Sequence, residues 1–452
     1  MRRHLRWSIL LPTVLVLVAA SIPASADHAT RPHTQNIIAK GHSPDFGSFL
    51  VPDGQRDANS DLAFWGKLAF HGDYDGFRIV DISDPDNPQL VSRTRCNGDQ
   101  GDIVVWENVL VRAWNAPKSV ARDCDGATVP AGFEGMHIFD ISNLADPQLV
   151  GEVELSARPQ ADSPGCGTHT LTLVPDGDRA VIYNATSGGN TLLPPADQAC
   201  DWVDIVEVPL DDPGAASHLR REPLMGEHAA HDNGVILGSV NKLAVASGHM
   251  SNVFDIGAND TPGGSLEDPA LLYTIEEPGV GVGGNWHSAA FSWDGDVVIM
   301  GWEPGGGAAP ECEATDPPVK KSAFFYDADT GAKLGQWTLP RPQSSEENCT
   351  IHNYNAVPLR SGRDILVLGN YQAGTWVVDF TDPANAQTVA WSDPPPLVPT
   401  QLGGAWSSYW YNNFIYESEI TVGLNVFRVA DRRVSGAIRV PHLNPQTQEF
   451  SL

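Results

Sequence analysis

I-V-D-I at 79–82, I-F-D-I at 138–141, I-V-E-V at 205–208, V-F-D-I at 253–256, F-Y-D-A at 325–328, V-V-D-F at 377–380 and V-F-R-V at 426–429 are seven copies of one short segment. Each is an apolar run with a charged residue in third place. The acids are Asp81, Asp140, Glu207, Asp255, Asp327 and Asp379, and Arg428 is the odd member. The copies are 59, 67, 48, 72, 52 and 49 residues apart. Self-similarity at such a period marks a repeat architecture, in which one unit cannot bury its own apolar face and must stack on its neighbours.

Other short runs flank each copy. Around the first lie 61–65, 68–71, 77–82 and 89–95; around the sixth lie 352–357, 365–369, 376–380 and 387–391. Runs of this length, bounded by Gly, Pro, Asn and Asp, read as four strands of one antiparallel sheet. Helical periodicity is absent. Seven such sheets packed radially cover both faces of each and leave only short edges. The expected fold is therefore all-β, a seven-bladed β-propeller of four-stranded antiparallel blades over residues 27–440. Closing the ring takes a strand from one chain end, and both 36–40 and 437–440 qualify. The polar tail, 441–452, is expected to wrap the outside.

Residues 1–26 read as a secretory signal peptide. Arg2, Arg3 and Arg6 precede an apolar run from Ile9 to Ala20, and Ala24-Ser25-Ala26 gives a small-x-small cleavage site. No Cys stands there to carry a lipid. The expected location is secreted or extracytoplasmic. The chain has 28 basic and 56 acidic residues, a net charge of −28. Such a surface repels phosphate backbones, so nucleic acid is excluded as a partner. No later apolar run is long enough for membrane insertion. An extracellular protein, a glycan or a small molecule remains, and a monomer is expected.

F-H-G-D-Y-D-G-F-R-I-V-D-I-S-D-P at 70–85 resembles the LVIVD repeat family. So do N-W-H-S-A-A-F-S-W-D-G at 285–295, E-N-C-T-I-H-N at 347–353 and S-S-Y-W-Y-N-N-F-I-Y-E-S-E-I at 407–420. The resemblance implies a propeller and bacterial export. It implies no reaction, because the family is defined by its repeat.

In a propeller the first strand of each blade, A, lines the channel, and the D–A and B–C loops share one face, called the top. Cys96, Cys166 and Cys349 each precede a strand A, and Cys124, Cys200 and Cys312 each lie in a B–C loop. Six cysteines allow 15 pairings. Pairing neighbours on the top face gives Cys96–Cys124, Cys166–Cys200 and Cys312–Cys349, each expected to stabilise by about 3–4 kcal/mol. Thiolate metal ligands are the alternative, and an exported chain disfavours them. The long stretches 115–135, 187–201 and 304–321 lie on the same face.

Four consecutive blades begin strand A with histidine, in T-H-T-L at 168–171, A-H-D-N at 230–233, W-H-S-A at 286–289 and I-H-N-Y at 351–354. His169, His231, His287 and His352 thus form an arc at the channel mouth, with Asp102 and Trp406 in the comparable places of two other blades. Converging imidazoles suit a divalent transition metal such as Zn, Fe or Cu. His228 can supplement them. The ends of the second strands add Asp73, His249, Glu303, Asn370 and Glu419. Glu303 and Glu419 are the candidate catalytic carboxylates, as general base or as partner to a ligand histidine. Trp302 and Trp406 can stack a ligand. The plain alternative is that each His bonds a neighbouring blade's carbonyl and does nothing more. Nucleophile-elbow, phosphate-loop and H-E-x-x-H motifs are absent. Two functions follow: a binding protein that uses its disulfide-braced top face and channel mouth, which is favoured, and a metal-dependent enzyme with a multi-histidine site.

Overall fold

The computed structural model describes residues 31–452 apart from 51–56, 156–165, 187–199, 227, 258–262 and 282–283. The signal segment 1–26 and most of the 187–201 loop lie outside the described residues. Seven antiparallel sheets stand around a central channel. Their innermost strands are Asn59–Trp65, Ile103–Trp106, Thr170–Asp176, Ala230–Ile236, Gly284–Phe291, Tyr354–Ala356 and Ala405–Tyr411. The repeated segments form the third strand, C, of each blade, as expected.

The charged residue in third place has a local task. At the end of strand C the Oδ1 of Asp81, Asp140 and Asp255 accepts the backbone N–H two residues on, at 2.8 Å in each case. Asp327 and Asp379 do the same for Asp329 and Thr381. These are Asx turns, in which a short carboxylate closes the C–D corner. Glu207 is one carbon too long and instead pairs with Arg179 at 2.5 Å. Between the first and second residues of the first six copies the pairing with the outer strand slips by one. That bulge adds twist to the outer strand. The signature of the repeat is thus one strand, its bulge and its turn.

The N-terminal candidate closes the ring. Ile37–Pro44 pairs antiparallel with Gly423–Val429 as the outermost strand of blade seven. Ala437 makes a single bridge to Leu359. The tail does not wrap the outside. His442–Leu443 pairs with Phe64–Trp65 of blade one, and Thr447–Gln448 runs parallel to Val235–Ile236 of blade four. Asn444 bonds both N–H and C=O of Val105, Thr447 Oγ1 donates to the Leu173 carbonyl, and Leu452 N–H donates to the Trp293 carbonyl. The tail therefore crosses the ends of five inner strands and closes the bottom of the channel. Its polarity has a physical reason. Inner strands leave peptide groups unpaired toward the channel, and a polar segment satisfies them. Asn444, Gln446, Thr447 and Gln448 are all buried.

The core lies between the blades, in pairs such as Phe325 stacked on Phe380 at 4.8 Å and Trp337 tilted against Trp376 at 5.6 Å. The disulfides Cys96–Cys124, Cys166–Cys200 and Cys312–Cys349 join the residues paired by the topology.

Candidate functional site

The four histidines meet at the channel mouth, and a backbone device aims two of them. Pairing between the first and second strands slips between Ala230 and Asp232, and again between Trp286 and Ser288. His231 and His287 are the extra residues. A bulge breaks the strict alternation of a strand and re-aims the side chain it carries. Trp406 occupies the same kind of bulge in blade seven. Adjacent imidazole centroids are 4.3 Å apart for His169 and His231, 4.1 Å for His231 and His287, and 4.2 Å for His287 and His352.

One nitrogen of each ring faces outward. His352 Nδ1 donates to the Trp406 carbonyl, and His169 Nδ1 donates to Asn115 Oδ1 at 2.8 Å. The rings of His231 and His287 face the next blade's backbone in the same sense, at His287 and His352, although neither Nδ1 completes a well-formed bond. The carbonyl bond expected of a merely structural histidine is therefore present at His352. In His352 and His169 the Nδ1 bond also fixes the tautomer that leaves Nε2 as a free lone pair, the usual arrangement around a ligand imidazole.

The Nε2 atoms converge on one carboxylate. His231 Nε2 lies 3.9 Å from Glu303 Oε2, and the Nε2 atoms of His287 and His352 lie 3.8 and 3.7 Å from Oε1. These separations are too long for hydrogen bonds. They are close to the roughly 3.4 Å between ligand atoms that bonds of about 2.1 Å make around a tetrahedral ion. The donor atoms of His231, His287 and Glu303 all lie within 4.8 Å of one another. Glu303 ends a second strand and is oriented by the Tyr371 hydroxyl, which donates to Oε1 at 2.7 Å. Gly307, at φ +72°, passes so close that a Cβ there would collide with Glu303 Oε1 and the Tyr371 hydroxyl.

Burial sets the protonation states. It holds His231 down at about 4 and His352 at about 3, and keeps His169 and His287 well below the ordinary histidine range, where neighbouring imidazoles add to the effect. Burial pushes Glu303 up to about 7, against the lowering effect of the Tyr371 hydrogen bond. Neutral imidazoles beside a carboxyl form the donor set that a borderline cation takes.

A narrow cavity of about 10 Å³ at this point, about the room of one water, is lined by His169, His287, His352, Trp406, Asp61 and Asp102, among others. Trp406 lies edge-on to His352 at 5.0 Å. The remaining candidates lie elsewhere. Asp73 is buried and salt-bridged to Arg93 at 3.0 Å. His228 and His249 form an edge-on pair at 4.8 Å in blade four. Trp302 packs in the core beside Trp286. Asn370 is buried next to Tyr371. Glu419 spends both oxygens on Gly404, Thr421 and Val422, holding a turn. Cys96, Cys124 and His137 also cluster, but their sulfurs are joined to each other.

Sequence reading missed Tyr371, Asn115 and Asp61. Tyr371 had a signal, since G-N-Y at 369–371 and G-W-E at 301–303 end equivalent strands of adjacent blades.

These features define a seven-bladed propeller whose mouth is lined by histidines from consecutive blades. A family model described as "LVIVD repeat" matches residues 56–95 and 131–154, so two stretches of this propeller, in blades one and two, are similar to that repeat. The computationally designed Ika8 protein aligns at 13% identity over 86% of this chain and 100% of its own, with a TM-score of 0.45. Raptor of Chaetomium thermophilum aligns at 10% identity over 90% of this chain and 30% of its own, with a TM-score of 0.48. BamB from Moraxella catarrhalis aligns at 11% identity over 80% of this chain and 82% of its own, with a TM-score of 0.43. No curated protein matches the sequence.

Proposed function

We propose that the protein is an exported binding propeller whose channel mouth holds a divalent transition metal, Zn, Cu or Fe. Its ligands are Nε2 of His231, His287 and His352 with the Glu303 carboxylate, and His169 stands beside them. The observation that carries this reading is the convergence of three imidazole nitrogens within 3.9 Å of one buried carboxylate. The signal-like N-terminus and three disulfides support export. No helix among the described residues is long and apolar enough to cross a membrane. The braced loops around the mouth would admit the ligand or partner.

Elemental mass spectrometry on the mature chain, exported natively without a histidine-rich tag, tests the reading. About one transition-metal ion per chain is expected, lost in the His287→Ala/His352→Ala variant. A folded chain that neither carries nor takes up Zn, Cu or Fe would overturn it.

A metal-dependent enzyme is the second reading. The Tyr371–Glu303 pair beside the imidazoles favours it, because a hydrogen-bonded carboxyl next to a metal is well placed to act as a general base.

A further inference from the structure

Part of the mouth cavity is lined by a second set of groups, distinct from the imidazole–Glu303 centre. Asp61 comes from the innermost strand of blade one, Asp102 stands just ahead of that of blade two, and Asn353 follows His352. All three line the cavity together with Gln100. They are 2%, 7% and 6% exposed. Asp61 Oδ2 accepts from the Tyr409 hydroxyl and from Gln446 of the tail, each at 2.9 Å, and Oδ1 accepts from Leu62 N–H. Asp102 Oδ2 accepts from Leu171 N–H at 2.5 Å. The other oxygen of Asp102 is buried with no hydrogen-bond partner among the described residues. The same holds for Asn353 Oδ1 and Gln100 Oε1.

Beside the hydroxyls of Ser60 and Thr170 and the amide groups of Gln100 and Asn353, this lining carries three side-chain oxygens, on Asp102, Asn353 and Gln100, that find no donor among the described residues. No Lys or Arg among the described residues lines it. His169 and His352 spend their N–H groups outward, so they too turn lone pairs inward. Asp232, 4% exposed, adds a third carboxyl whose field reaches Asp61 and Asp102. Buried acceptors without a donor are costly, and burial pushes both Asp61 and Asp102 toward their neutral forms unless a cation stands between them to hold them ionised. Oxygen donors choose a hard ion over a soft one. Asn353 makes the case independent of the acids, because its amide oxygen bears no charge and is still unpartnered.

We propose that Asp61, Asp102 and Asn353 form a second cation site in the channel, taking a hard divalent ion of the Ca2+ class. Its donor atoms are separate from those of the imidazole centre, so either site can stand without the other. The tail closes the channel beneath it, and the ion would enter from the top.

The test is calorimetric titration of CaCl2 into the disulfide-intact mature chain, first stripped with chelator, at about 0.15 M salt to screen the acidic surface. One saturable Ca2+ per chain is expected, with a Kd of about 10⁻⁴ M or tighter. Asp102→Asn should weaken it by roughly 100-fold, because one charged ligand is lost. Asn353→Asp should retain or tighten it. His287→Ala/His352→Ala should keep the Ca2+ while losing the transition metal, which separates this inference from the previous one. Asp102→Asn should melt no lower than wild type without Ca2+, so failure to fold is recognisable. Three outcomes would each overturn the proposal: no saturable Ca2+ at millimolar concentration, equal weak uptake in every variant, or an affinity indifferent to both Asp102→Asn and Asn353→Asp.

Discussion

Glu303 is the residue on which the mouth depends, and its position is held by two neighbours, one of which, Tyr371, also packs its ring on the His352 imidazole at 4.2 Å. Tyr371 donates to it from a left-handed backbone position, φ +51°, and Gly307 leaves the room for both. Tyr371→Phe is expected to lower transition-metal affinity by about 10–100-fold with little change in the melting temperature of the metal-free chain, checked by competition with a chromogenic chelator. Gly307→Ala combines a left-handed backbone with a steric collision, and should weaken metal binding at least as much. His137 gives a residue-scale test away from the mouth. Burial, aided by Arg112, depresses it to about 3. The unfolded chain therefore binds more protons at this position between about pH 3 and 6.5, so stability falls as pH falls through that window. His137→Phe should lose less stability between pH 6.5 and 4.5 in urea unfolding than wild type does.

At the scale of the element, the repeat specifies strands and turns, and function enters where a strand breaks its own rule. The Asx turn after strand C explains why the acid in third place recurs without marking an activity. Asp81→Ala, Asp140→Ala and Asp379→Ala should each cost about 1 kcal/mol, measured by denaturant unfolding. The bulges at His231 and His287 have the opposite character. They disturb the pairing between the first two strands and turn a side chain into the channel. No residue type announces a bulge of this kind, so the sequence located the histidines but not the reason they converge. The tail shows the same limit. Its polarity read as a solvated surface because composition carries no record of the unpaired peptide groups it meets. Removing residues 442–452 would strip partners from Val105, Leu173, Val235 and Leu237. At about 0.5–1.5 kcal/mol for each bond, that truncation is expected to cost several kcal/mol and to lower the melting temperature clearly.

At the scale of the whole molecule, repetition made the fold legible. Seven copies of one strand fixed the blade number, the blade number set the top face, and the top face paired the cysteines and gathered the histidines. What stayed hidden came from single blades. Tyr371 and Asn115 act once each and leave no periodic trace. Asp61 lies where no histidine marks the mouth, and Glu419 looked equivalent to Glu303 until its oxygens proved to be occupied by a turn. The net charge of −28 adds a uniform field that favours cations at the open end of the channel, whatever the ion.

X-ray absorption spectroscopy at the metal edge, on the mature chain loaded with one equivalent of Zn, reads the ligands of the mouth site. A first shell of nitrogen and oxygen at about 2.0–2.1 Å is expected, with the outer-shell scattering of three imidazoles that falls to one in His287→Ala/His352→Ala. A shell without imidazole scattering, or one unchanged in that variant, would contradict that ligand set.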